Sequence, residues 1–264
     1  MVLTQDYPDG KKKIVTFSYD DGHHNDIRLI ELFNKYGAKG TFHLNGHNYI
    51  GKSEEELDKI RDIYKGHEIS CHTVNHAWPA QMPSQTLIAE TLQDRAILEG
   101  IAQYPVAGMS YPYGSYSDAA AQTMKDCGIV YSRTVDSTRR FFLPNNFLTW
   151  HPTCHHKEAL TLCEAFLRRP DATCGNPLFY IWGHSSEFKT EEQWQEMEEV
   201  LKTLSECDKI WYATNIEIYD YLMAQKNLRI SVNEKMIHNP SSTDVWINVD
   251  SEAVKVPAGK TVIL

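Results

Sequence analysis

Short apolar runs alternate with longer stretches of helical periodicity over most of this chain. The first run, residues 14–18, precedes a helical stretch at 26–36, with Asn25 placed as its N-cap and Gly37 as its stop. A second run at 40–44 leads to a helix opened by Ser53. Glu56 three residues on completes a capping box there, and Gly66 ends the helix. The third run spans 68–71, a long helix 85–102, and the fourth run 106–110; a helix from Ser117 to Gly128 then leads to the fifth run at 129–132. About twenty residues rich in Pro, Asn and His follow without a regular pattern, a length that usually marks a functional loop. A helix at 158–168, a sixth run at 178–182 and a helix at 191–206 with a Thr190/Gln193 capping box come next. A seventh run at 209–213 and a last helix, capped by Asn215 and ending about Ala224, complete the series.

Strand–helix alternation of this kind implies a parallel sheet covered by helices. The expected fold is α/β, a distorted (β/α)7 barrel, with an open doubly wound sheet as the alternative. No G-x-G-x-x-G follows the first run, which weakens a dinucleotide-binding reading. From residue 226 the period changes. Leu228, Ile230, Val232, then Val245, Ile247, Val249, then Val254, Val256 and Val262 alternate with polar positions, punctuated by Asn239-Pro240 and Pro257-Ala258-Gly259. This predicts a small C-terminal β appendage and a division into a barrel, 1–225, and a tail, 226–264.

Bulk properties narrow the function classes. The 264 residues suit one large domain with a small addition, and the formal net charge of −9 disfavours nucleic acid as a partner. No apolar run reaches the ~18 residues of a membrane span. Residues 1–13 lack the apolar middle of a signal peptide, so the expectation is a chain that stays in the cytoplasm or a secreted form whose signal has been removed. The six cysteines form no C-x-x-C pair and are expected to be mostly reduced and structural. The oligomeric state stays open.

In a (β/α) barrel the reactive groups gather where strands end. Asp20-Asp21-Gly22 ends the first run, His72-Thr73-Val74-Asn75-His76 the third, Tyr111-Pro112-Tyr113-Gly114 the fourth, Arg133 and Asp136 the fifth, and His184 the sixth. If the segment turns helically, His72 and His76 share one face and one divalent ion, although such a spacing alone is more often a surface pair. Adjacent carboxylates at a strand end point in different directions, so one of Asp20 and Asp21 can hold metal while the other faces substrate; alone they are more often a turn. His184 leaves a buried run, as a satisfied core group or, near a metal-bound water, as a general acid.

Together these segments resemble the polysaccharide deacetylases of carbohydrate esterase family 4, the NodB-homology family. Phe17-Ser18-Tyr19-Asp20-Asp21-Gly22 is similar to the first family motif, His72–His76 to the second, Tyr111–Gly114 to the third, and Trp182-Gly183-His184 occupies the place of the last. The resemblance covers roughly residues 14–225. It implies a divalent metal, usually Zn2+, held by Asp21, His72 and His76, with Asp20 as general base. It also implies an oxyanion contact from the backbone N–H of Tyr113, His184 as general acid, and a reaction that removes an N- or O-acetyl group from a carbohydrate.

The chain departs from the family pattern in two places. Ser110 stands where the third motif begins with an arginine, which leaves Arg133 as the candidate partner of the base. Only Asp136 remains of the fourth motif's D-x-x-D-W, which puts a chitin-like substrate in doubt. The loop Trp150-His151-Pro152-Thr153-Cys154-His155-His156 is expected to form a cleft wall, with His155 and His156 binding substrate hydroxyls or touching a metal. Tyr19, Tyr111 and Trp150 are further candidates to contact a sugar, whereas core packing is the commoner fate for a residue like Trp182. Two rivals are an amidohydrolase acting on a small non-sugar amide and a catalytically impaired carbohydrate-binding relative.

Overall fold

The strand at the centre of the fold is buried over its whole length, as a parallel strand covered on both faces must be. In the computed structural model, which describes residues 3–170 and 176–264, a short strand β1 (Leu3–Gln5) precedes this central strand, β2 (Lys13–Asp20). Then follow α1 (Asp26–Lys35), β3 (Gly40–Leu44), α2 (Glu54–Ile63), β4 (Glu68–Cys71), α3 (Ser84–Ala102), β5 (Gly108–Ser110) and α4 (Asp118–Asp126). After them come β6 (Tyr131–Arg133), β7 (Cys154–His155), α5 (Ala159–Leu167), β8 (Leu178–His184), α6 (Glu191–Ser205), β9 (Ile210–Tyr212) and α7 (Asn215–Lys226).

The sheet runs β6-β5-β4-β3-β2-β8-β7 with parallel pairing throughout, and curls into a distorted (β/α)7 barrel. Its irregularity is visible along β2. Strand β8 accompanies β2 from Ile14 to Asp20, while the other edge is shared, β9 pairing with Lys13–Val15 and β3 with Phe17–Asp20. The sheet therefore splits at its base, and the strand ends that follow Asp20, Cys71, Ser110 and Arg133 open on one rim.

The long segment after β6 is not patternless, as expected from its composition, but closes the barrel. Trp150 bridges to Arg133, its N–H donating to the Ser132 carbonyl at 2.9 Å, and Thr153 N–H donates to the Tyr180 carbonyl at 2.8 Å before β7 pairs with β8. Trp150 is fully buried, edge-on to Tyr131, Phe147 and Tyr180 at centroid distances of 5.8, 5.0 and 4.8 Å. Burying a ring of that size is worth several kcal/mol by area, about 25 cal/mol per Å2 of apolar surface. That burial pins an otherwise irregular chain.

One predicted cap is corrected, and another stands at its position without a side-chain bond. Asn25 lies in the helical region and makes no cap bond; its Nδ2 donates instead to the carbonyls of Ser185 and Phe188, tying α1 to the loop after β8. The last helix is capped by Thr214, which forms a reciprocal box with Glu217, while Asn215 is buried and bonded to Thr16 and Tyr180. Thr and Asn both suit the position, and the glutamate three residues beyond Thr214 decides between them. The capping boxes at Ser53 and Thr190 are present. Cys71, Cys127, Cys154, Cys163 and Cys207 are free thiols, and Cys174 lies outside the described residues.

Beyond α7 the chain forms β10 (Arg229–Ile230), β11 (Met236–His238), β12 (Val245–Val249), β13 (Glu252–Val256) and β14 (Thr261–Ile263). Strands β10, β11 and β14 make one antiparallel sheet. The second, β12 and β13, takes its edge strand from β1, so the first described residues are woven into the tail. Tyr221 of α7 anchors it, accepting from the Trp246 N–H at 2.9 Å and donating to the Asp6 carbonyl at 2.8 Å. No helix among the described residues is long and apolar enough to cross a membrane.

Candidate active site

Strand β2 delivers Asp20 to the rim, and the next residue turns sharply. Asp21 has φ +76° and its N–H donates to the His43 carbonyl at 2.9 Å. Gly22 follows with φ +65°, where a Cβ would stand 2.9 Å from both the Leu44 and Tyr49 side chains, so the turn admits no larger residue without displacement. The second segment does not turn helically. Thr73 and His76 both adopt left-handed backbone, φ +59° and +51°. The turn is held from outside. Asp94 of α3 accepts from the N–H groups of His72 at 2.9 Å and Gly46 at 2.7 Å, Glu90 accepts from Asn75, and Asn45 donates to the carbonyls of His72 and Thr73.

This turn brings His72 and His76 to Asp21 by a route other than the i,i+4 face. Nε2 of His72 lies 3.6 Å and Nε2 of His76 3.4 Å from Asp21 Oδ1, and the three ligand atoms all fall within 4.8 Å of one another. Two atoms each about 2.0–2.1 Å from one tetrahedral ion stand roughly 3.4 Å apart, so the spacing fits a shared cation. The tautomer fits as well. Nδ1 of His72 lies 2.9 Å from the Ser110 carbonyl, which accepts only if Nδ1 carries the hydrogen, leaving the Nε2 lone pair facing Asp21. Burial pushes the His72 imidazole down to about 4, so it is neutral, the state a ligand requires.

Asp20, buried beside this group, is held by Arg133 and by Ser110, whose Oγ donates to Oδ1 at 2.9 Å. Arg133 is itself fully buried and anchored by Nε to the Ser18 hydroxyl at 2.9 Å and by a second nitrogen to the Thr134 carbonyl. Burial alone would raise the Asp20 carboxyl, but the Arg133 guanidinium, and after it His72, His43 and His184, hold it well below the usual carboxylate range.

His184 faces the same space from β8, its Nε2 3.9 Å from Asp20 Oδ2 and 3.8 Å from Asp21 Oδ2. Its Nδ1 bonds to Glu187 at 2.8 Å. Burial would lower the imidazole; the Glu187 bond, then Asp20 and Asp21, outweigh it and raise it above its ordinary value. Glu187 was not singled out from the sequence, although it lies only three residues beyond His184. It also accepts from His155 at 3.2 Å and pairs with Lys157, and these contacts hold it well below the usual range against the effect of its burial.

The remaining candidates divide. Tyr113, with φ +58°, is exposed on the rim with its ring edge-on to His76 at 4.4 Å. Asp136 is exposed but its contacts are the Tyr116 hydroxyl at 3.0 Å and His151 at 3.7 Å. Tyr19, Tyr111 and Trp150 are fully buried and offer no face to a sugar, which corrects their expected role: they are core residues of the strands and of the barrel closure. His156 is likewise withdrawn, stacked between Tyr19 and Phe188, with Gly183 so close that a Cβ there would fall 2.1 Å from Nδ1. His155, His156 and Glu187 form a second group of metal-capable atoms within 4.8 Å, but Lys157 and His184 already engage that carboxylate.

One rim of the (β/α)7 barrel thus carries an Asp-His-His group able to hold a metal ion, an arginine-held carboxylate and a carboxylate-backed histidine. Comparison with known proteins shows what the chain is similar to. The family model for Polysaccharide deacetylase matches residues 7–132. A chitin deacetylase of Arthroderma benhamiae is 34% identical over 42% of this chain, and a peptidoglycan-N-acetylglucosamine deacetylase of Bacillus cereus is 26% identical over 48% of it. The matches span 31% and 58% of those relatives' own lengths. Among solved structures, a putative polysaccharide deacetylase from Mycobacterium smegmatis aligns at TM-score 0.64 with 17% identity, covering 85% of this chain and 95% of that one. A family 4 acetyl xylan esterase from Clostridium thermocellum, solved with a cobalt ion, aligns at 0.54 with 16% identity over 78% and 90%. Residues 7–132 are thus similar to the polysaccharide deacetylases, and the fold is the one found in solved family 4 carbohydrate esterases.

Proposed function

We propose that this protein hydrolyses acetyl groups from a carbohydrate, with Asp21, His72 and His76 holding a divalent cation. Two imidazole nitrogens and one carboxylate oxygen suit Zn2+, and they leave a coordination position open. When bound, such an ion polarises an acetyl carbonyl and lowers the pKa of a water. The chain's own groups do the rest. Asp20, kept ionised by Arg133 and oriented by Ser110, accepts the proton of the attacking water. The Tyr113 backbone N–H supplies the oxyanion contact. His184, whose pKa the Glu187 contact raises, delivers a proton to the departing amine or alkoxide from Nε2.

The observation that carries this reading is the convergence, from the ends of three different strands, of a three-donor group, an ionised buried carboxylate and a protonatable imidazole. The experiment is acetate release from acetylated xylan, chitooligosaccharides and peptidoglycan fragments, with and without chelator, alongside the metal content of the purified protein. Turnover abolished by chelator, and one ion per chain lost in the His72→Ala/His76→Ala double variant, is the expected result. Undiminished acetate release after chelation would overturn it.

A further inference from the structure

Beside the donor group stand two aromatic side chains whose rings the reaction does not use. Trp78 lies two residues past His76, and Tyr113 lies in the turn after β5. Their rings are parallel within 8° at a centroid distance of 3.9 Å, and Tyr113 meets His76 edge-on. Trp78 is 45% and Tyr113 54% exposed. A single exposed aromatic needs no explanation. Two large rings stacked on each other and against a residue of the donor group leave apolar surface in water where substrate must approach.

The pair is also preorganised. Pro79 follows Trp78 and holds it extended, at φ −95° and ψ 93°; Pro112 precedes Tyr113 within its turn. The Ala80 N–H donates to Ser115 Oγ at 3.2 Å, stitching the two loops together. Rings fixed in this way lose little freedom when a ligand covers them.

We propose that Trp78 and Tyr113 form a stacking platform for a pyranose ring adjoining the acetylated sugar, so that the ligand is an oligosaccharide segment and not a monosaccharide. The proposal rests on the carbohydrate reading above. The C–H groups on a pyranose face meet an aromatic face by dispersion and weak C–H contacts, and neither needs charge. A molecule of net charge −9 disfavours a polyanionic chain, so neutral oligosaccharides are the probes of choice.

The test separates binding from turnover. Chelator-treated protein is titrated by calorimetry with the tetramers of β-1,4-linked N-acetylglucosamine and of β-1,4-linked xylose, as wild type, Trp78→Ala and Trp78→Phe. The expected result is that wild type binds at least one tetramer. Trp78→Ala should then bind it about tenfold more weakly, Trp78→Phe within about threefold of wild type, and all three should melt alike. Wild-type affinity in Trp78→Ala, or no binding of either tetramer by wild type, overturns the platform. If tetramer binding depends on Trp78 while the untreated protein releases no acetate, the platform stands and the hydrolase reading falls.

Discussion

Glu187 shows how one side chain sets the working range of a site. His184 can deliver a proton only while it carries one, and Glu187 is the first contributor that raises its pKa. Glu187→Gln keeps an oxygen acceptor but removes the charge, so the imidazole pKa falls. The alkaline limb of the activity profile, where His184 loses its proton, should then move to lower pH with the acid limb unchanged. A pH–kcat/KM profile identical to wild type would show that His184 is not the group being read. Arg133 is the complementary case. It lies far from Asp20 in sequence, and the arginine that usually begins the third motif is here Ser110. The buried ion pair reaches Asp20 from the neighbouring strand, and the Ser110 hydroxyl contacts Asp20 and His72 at once.

At the scale of elements, the strand ends were legible because parallel buried strands leave continuous apolar runs, and whatever polar residue ends such a run stands on the rim. The conformation between them was not legible. The His72–His76 turn has the spacing of a helix, yet its shape is imposed by Asp94 and Glu90, which arrive from α3 about twenty residues later and carry no local signal. The barrel closure at Trp150 was hidden for a related reason: its pairing is two short bridges rather than a periodic strand. The burial of Tyr19, Tyr111 and His156 likewise follows from which face of a strand or loop meets the helices. Asp94 gives a measurable consequence. In Asp94→Ala the N–H groups of His72 and Gly46 lose their acceptor in a buried setting. Metal affinity is then expected to fall 10–100-fold, the usual cost of losing a group that orients a ligand, with a lower melting temperature. Unchanged affinity in a metal titration would mean that the turn holds its shape without α3.

Across the whole molecule, buried carboxyls make stability depend on pH in a defined direction. Burial pushes Asp26, Glu68 and Asp94 up to about 7, against roughly 4 in an unfolded chain. Between those values the folded protein holds more protons, so these groups favour the fold at the acid end of the window and lose that contribution as pH rises through about 7. Asp20 and Glu187, held low, act oppositely: their contribution is complete above about pH 4 and disappears on acidification. Four buried imidazoles, His43, His67, His72 and His156, are pushed below their ordinary value and act the other way over the same range, so the carboxyls are read from the difference between a variant and the wild type. Glu68→Gln, whose amide oxygen can still accept from Thr41 and the Ile216 N–H, should gain melting temperature relative to wild type as pH rises from 5 to 8. A difference that does not change with pH would contradict the assignment.

The four rim residues in left-handed backbone, Asp21, Thr73, His76 and Tyr113, have a consequence for reading relatives of this chain. Each such conformation costs of order 1–3 kcal/mol for a residue with a side chain, and glycine or asparagine would relieve it. Freed from its chemistry, a descendant would drift toward those residues at these positions. A glycine aligned with His76, or an asparagine with Asp21, would then be the fossil of a lost reaction. Aspartate and histidine kept there across relatives, against the preference of the backbone, would be the mark of selection for the site.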